Sequence, residues 1–169
     1  MSRVPSDMNL EFLPFLNNPI IAVAPPDHPL CQHAQLSLQD LTAFPLLTRE
    51  PGSGTRQACE EYFHLKRAHF AHSLEVGSLE SQREGVLAGL GVALLPRHAV
   101  RRELDLGVLR ELPVAELPLL RSWCLVHPRG KYLSPVAQAF FAFVRDQRSL
   151  INALAERFAA PAPACPPGS

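Results

Sequence analysis

Cysteine is sparse and unpatterned in this chain: Cys31, Cys59, Cys124 and Cys165 stand far apart, with no C-x-x-C spacing. That excludes a zinc site or a disulfide framework, and the four are expected to be reduced thiols. An excess of either charge is lacking too, since 16 Lys and Arg balance 16 Asp and Glu. With no basic run to serve as a nucleic-acid arm, the chain by itself is expected not to bind DNA directly. No apolar stretch nears the roughly 20 residues that span a bilayer, so no membrane partner is expected. The opening Met-Ser-Arg-Val-Pro-Ser-Asp-Met has no apolar core of a secretory signal, which predicts a cytoplasmic location. What is present is ordinary: 169 residues, 47% of them apolar, enough for one domain or two small lobes.

Strand-like and helix-like segments alternate along the chain. Residues 19–24, 46–48, 72–76, 92–95, 109–114 and 121–126 read as strands, several of them short apolar runs closed by Pro or Gly. Residues 37–41, 56–66, 78–88, 97–103 and 134–148 read as helices. Ala58, Tyr62, Phe63 and Leu65 are expected to form the apolar face of the second of these. Val136, Phe140, Phe141 and Val144 are expected to be buried by the last, which Ser134 caps with Pro135 in its first turn. From Ala159 the Pro-rich tail is expected to be disordered. The alternation predicts an α/β fold with a largely parallel sheet, whose ligands bind beyond the carboxyl ends of strands.

Two loops meet that description. Glu50-Pro51-Gly52-Ser53-Gly54-Thr55 and Gly77-Ser78-Leu79-Glu80 each leave a strand, carry Gly and Ser, and open a helix. Free backbone N–H groups and the helix dipole favour an anion there, and glycine lets the backbone come close to it. Ser53, Thr55 and Ser78 either cap these helices or donate to a ligand. Arg49 either meets an anion or pairs with Glu50 beside it. Trp123 is either a core aromatic at a lobe junction or part of a cleft.

Catalytic patterns are missing. Gly52-Ser53-Gly54 does not have the G-x-S-x-G spacing of a nucleophile elbow, and no Walker lysine follows it. Gly89-x-Gly91 precedes a strand and has no third glycine. His64, His69 and His72 lie five and three residues apart, which is not a metal-ligand pattern, and they are expected on the surface. Neither a metal nor any other cofactor is expected, and the chain is not expected to be an enzyme.

Four stretches together resemble one family. Asn18 to Leu30 looks like the hinge strand and His-Pro-Leu turn of LysR-type transcriptional regulators, and Ser37-Leu38-Gln39-Asp40-Leu41 resembles their L-x-D-L helix. Arg49 to Arg56 is similar to the effector loop of several branches, including the regulators of Calvin-cycle (RuBisCO) operons. Val86 to Pro96 resembles the V-x-x-G-x-G-[IV]-x-x-[LI]-P signature. The resemblance covers about residues 1–148.

It implies a type II periplasmic-binding-protein-like fold with a complete second lobe and a partial first lobe, truncated at the N-terminus, without the winged helix-turn-helix. Residues 1–20 would be a remnant of the first lobe and 21–125 the second lobe. Residues 126–158 would be the hinge return and first-lobe C-terminal helix, followed by the tail at 159–169. The implied function is sensing: a small anionic metabolite between the lobes shifts their relative orientation. Ser53, Gly54 and Thr55 would contact it, with Val76, Gly77 and Ser78 as the opposing rim and Arg49 in reach of a charge. Ser2 and Arg3 fall where first-lobe contacts occur in some members. The Calvin-cycle branch implies phosphorylated sugars, phosphoenolpyruvate or NADPH as effectors, and a homo-oligomer for the full-length parent. A stand-alone solute-binding protein and a small α/β enzyme are the competing readings.

Overall fold

The computed structural model describes residues 9–159. Seven strands are present among them: β1 (Leu10–Asn17), β2 (Ile20–Ala24), β3 (Leu46–Arg49), β4 (Ser73–Val76), β5 (Val92–Pro96), β6 (Arg110–Glu111) and β7 (Ser122–Pro128). The α-helices are α1 (Leu38–Leu41), α2 (Gly54–Lys66), α3 (Leu79–Leu87), α4 (Arg101–Asp105), α5 (Pro135–Asp146) and α6 (Arg148–Ala159). The expected tail beyond Ala159 lies outside the described residues.

The larger sheet has five strands in the order β4-β3-β5-β2-β6. β3 runs parallel to β4 and β5, whereas β2 is antiparallel to β5 and β6. The largely parallel sheet expected from the sequence therefore carries one reversed strand near its middle. β2 arrives directly from the second sheet rather than through a β-α-β crossover, and only such crossovers impose parallel pairing.

β2 and β5 are buried on both faces, which is why they read as continuous apolar runs. Side-chain alternation divides the core. Ile20, Ala22, Leu94 and Val92 face Ala58, Cys59 and Phe63 of α2, and burial pushes the Cys59 thiol up to about 12. Ile21, Val23, Leu47 and Leu95 face Val86 of α3 on the other side. The two helices thus cover opposite faces of one sheet. Leu65, expected on the buried face of α2, is 74% exposed, because α2 is held through Ala58, Cys59 and Phe63 instead.

The strand expected at 109–114 shrinks to Arg110–Glu111. Pro113 has no N–H to give, and Val114 leaves β2 to bridge Leu36. The helix expected at 97–103 divides into a 3-10 turn at Arg97–Ala99 followed by α4.

β1 and β7 form a second, antiparallel sheet, with a register shift between Pro14 and Leu16. α6 is tied to it through Asn152, whose Nδ2 donates to the Phe15 carbonyl at 2.8 Å and whose Oδ1 accepts from the Asn17 N–H at 2.9 Å. Ser134 caps α5 as expected, accepting from the Ala137 N–H. Burial on α5 is narrower than expected: Val144 is buried, but Val136 and Phe140 are 80% and 53% exposed. They lie on the helix face turned away from the small sheet, and Phe141, on the inner side, meets His127 edge-on at 5.2 Å.

The His-Pro-Leu turn has its own pH sensitivity. His28 Nδ1 accepts from the Leu30 N–H at 3.3 Å and its ring lies against Phe44, so the fold needs the imidazole neutral. Burial lowers the pKa of His28, with the Asp27 charge opposing, and burial lowers that of His98 as well. Unfolding thus takes up protons, and stability present above about pH 6.5 is lost as pH falls through the folded-state values. Glu111, raised by burial, acts in the opposite sense. His28→Asn keeps a capping oxygen that does not titrate. It is expected to flatten the decline in urea midpoint between pH 7 and pH 5 relative to the wild type.

Candidate effector site

The two singled-out loops lie side by side. β3 and β4 pair in parallel with Arg49 opposite Val76, so Glu50–Ser53 and Gly77–Ser78 emerge from the same end of the sheet. α2 and α3 then depart over opposite faces, leaving both helix starts at the carboxyl ends of neighbouring strands, where open α/β sheets take their ligands. Val76, Gly77 and Ser78 are therefore the adjoining loop of the same sheet edge, not a rim facing Ser53–Thr55 from across a cleft. Parallel pairing of consecutive strands decides this.

Each loop is built to end a strand and begin a helix in few residues. Gly52 takes φ +91°, open to glycine at little cost, and turns the chain back toward Ser53. Ser53 is the N-cap of α2, accepting from the Arg56 N–H at 3.5 Å, and Ser78 is the N-cap of α3, accepting from the Ser81 N–H at 3.0 Å. Each cap takes one of the unpaired amides of its helix. Gly54 and Thr55 form the first turn of α2, half-buried beside Ser53.

The charges are already engaged. Arg56 Nε donates to Glu60 and its Nη1 to Glu75 and to the Arg49 carbonyl, each at 2.7 Å. Arg49 grips Glu50 through Nε and Nη2, both at 2.7 Å. That bond and the Arg49 and Arg56 charges hold the Glu50 carboxyl below the usual range. Glu80 is lowered as well, first by its own backbone N–H and the Ser78 hydroxyl, then by Arg83 and Arg49. The loop before α2 and the first turn of α3 thus each carry a carboxylate.

Sequence patterns missed Gln82. It is 3% exposed on α3, its Nε2 donates to the Leu47 carbonyl at 2.7 Å, and its Oε1 is buried without a partner. Arg49, Thr55, Arg56 and Gln82 share the lining of a cavity of about 10 Å³, too small for a metabolite. A polar residue in a helix is ordinarily exposed, and nothing in the sequence marks this one as buried. Trp123 is 39% exposed and meets His98 edge-on at 6.1 Å, so it is not a core residue. His64, His69 and His72 are exposed. Ser2 and Arg3 lie outside the described residues. Among the described residues no helix is long and apolar enough to cross a membrane, and no group of three or more His, Cys, Asp or Glu is placed to hold a metal ion.

Residues 1–149 match the family described as LysR substrate binding domain. The chain belongs to that family. This LysR substrate-binding chain is 39% identical over 152 residues to the RuBisCO operon transcriptional regulator of Allochromatium vinosum, covering 90% of itself and 50% of that protein. It is 40% identical over 149 residues to the HTH-type transcriptional regulator CbbR of Xanthobacter flavus, covering 87% of itself and 45% of that protein. It spans about half the length of the curated relatives it matches. The CcmR regulatory domain of Synechocystis PCC6803, solved in complex with 2-PG, superposes with a TM-score of 0.82 at 30% identity, over 90% of this chain and 73% of that one. The type II periplasmic-binding-protein-like fold expected from the sequence is the fold of this LysR domain.

Proposed function

We propose that this LysR domain senses a small anionic metabolite at the shared carboxyl end of β3 and β4, as part of a regulator of the RuBisCO-operon kind. The observation that carries this is the parallel register of Arg49 and Val76, which brings two helix starts and one arginine to the same end of the sheet. In this reading Ser53, Gly54 and Thr55 present amides and hydroxyls to the anion, Gly77 and Ser78 flank it, and Arg49 supplies the charge. Residues 21–125 act as the lobe that carries the site, and the elements outside them belong to the first lobe. Binding shifts the relative orientation of the lobes rather than driving a reaction. In the parent protein, an oligomer acting in the cytoplasm, DNA contact is left to a separate helix-turn-helix.

The phosphorylated class is favoured because 2-PG (2-phosphoglycolate) is the ligand of the Synechocystis neighbour and phosphate suits paired amides and an arginine. A thermal-shift series with 2-phosphoglycolate, phosphoenolpyruvate and NADPH tests it. At about 100 times its dissociation constant a site-bound anion stabilises by roughly 2.7 kcal/mol, which raises Tm by about 5–10 °C for a chain of this size. Ser53→Gly combined with Thr55→Val is expected to halve that shift or more. No shift with any of the three, or one that the double variant leaves intact, overturns the reading.

A further inference from the structure

We propose that Glu50 is an internal counter-ion that occupies Arg49 in the ligand-free protein and surrenders it to the effector, which sets a charge threshold for binding. This rests on the reading that an anion is held at this end of the sheet.

The two arginines of the loop are placed differently. Arg56 is spent: its Nε and Nη1 are committed to Glu60, Glu75 and the Arg49 carbonyl, on the helix and the neighbouring strand. Arg49 is held by the residue next to it, in the two-pronged geometry with which a guanidinium recognises a carboxylate. The partners are unequally exposed, with the Arg49 side chain at 20% and Glu50 at 38%. Glu50 can turn into solvent by side-chain rotation alone while the guanidinium stays near enough to the start of α3 to act on Glu80.

Exchange then depends on the strength of the incoming anion. Glu50 is tethered, so its local concentration at Arg49 is high, on the order of millimolar or more. A free monocarboxylate offers Arg49 the same chemistry and must also lose its translational freedom. Glu80, near enough to feel Arg49, adds further repulsion. A phosphate group carries more charge and three acceptor oxygens, and it reaches the amides of Gly54 and Thr55 as well, so it can displace Glu50 where a simple carboxylate does not. Glu50 is thus a specificity-determining residue that favours phosphorylated metabolites.

Calorimetric titration of the whole chain with 2-phosphoglycolate and with inorganic phosphate, at fixed ionic strength, tests this in a double-mutant cycle. Glu50→Gln is expected to tighten both anions about threefold to fivefold, the upper size of a partly exposed ion pair removed from competition. Arg49→Gln is expected to weaken 2-phosphoglycolate at least tenfold, and adding Glu50→Gln to it should restore nothing. Glu50→Asp, whose shorter arm still carries the charge, gives an intermediate value and checks that folding is intact. Unchanged or weaker binding in Glu50→Gln overturns the counter-ion role and leaves the sensing site standing. An equal gain in the absence of Arg49 also overturns it, as a diffuse charge effect. Failure of the wild type to bind either anion overturns both.

Discussion

Gly91→Ala is expected to destabilise the domain by about 3 kcal/mol, from a steric clash added to backbone strain. Gly91 takes φ +155°, and a Cβ on it would lie 2.2 Å from the Pro45 carbonyl oxygen and 3.0 Å from Leu47 Cδ1. The neighbouring Val92 N–H donates to that same carbonyl at 2.9 Å, at the first pairing of β5 with β3. Relieving the clash therefore means separating the two parallel strands where they meet. The urea midpoint measures the loss, and a substitution costing under about 1 kcal/mol would show that the strands part easily.

The second large effect is expected at Leu47. Its side chain is 1% exposed and packs with Val86, Ala93 and Leu95, while its Cδ2 fills the space a Cβ on Gly85 would take, 2.3 Å away. Leu47→Ala opens a cavity between β3 and α3 and is expected to cost about 3–4 kcal/mol. Because α3 also carries Ser78, a loosened seat for it should weaken anion binding along with stability. Denaturant unfolding gives the first figure, and the 2-phosphoglycolate thermal shift on the same protein gives the second. A cost under 2 kcal/mol would mean that α3 settles into the void.

The sequence made the elements of the five-stranded sheet legible because their signals are local. The Pro-bounded runs at β2 and β5, the capping serines and the glycines at 52, 89 and 91 each announce an element or its end. β1 was not legible: Pro14 interrupts its pattern, and the strand tolerates that residue only through a register shift against β7. α6 was hidden for another reason. The helix expected at 134–148 stops where α6 begins, and at Gln147, which departs from helical geometry, no Gly or Pro marks a break from which a second helix could be read. Nor does a sequence show that β2 runs against its neighbours, since direction depends on where the preceding strand lies.

At the site, residue types could be read but occupancy could not. The effector-loop motif pointed to Ser53–Thr55, and adjacency of Arg49 and Glu50 left two outcomes open. The structure shows the ion pair formed. That Gln82 is buried against the Leu47 carbonyl depends on α3 crossing over β3, a long-range fact with no local signature.

The two crossings between the sheets, Asn17 to Ile20 and Leu119 to Ser122, are stitched together by the Asn18 N–H to the Arg121 carbonyl and the Ile20 N–H to the Leu119 carbonyl. A pair of ribbons bonded edge to edge bends far more readily than it shears or slides. Relative movement of the two sheets is thereby restrained to bending about this strap, like a gate on a double-pinned post.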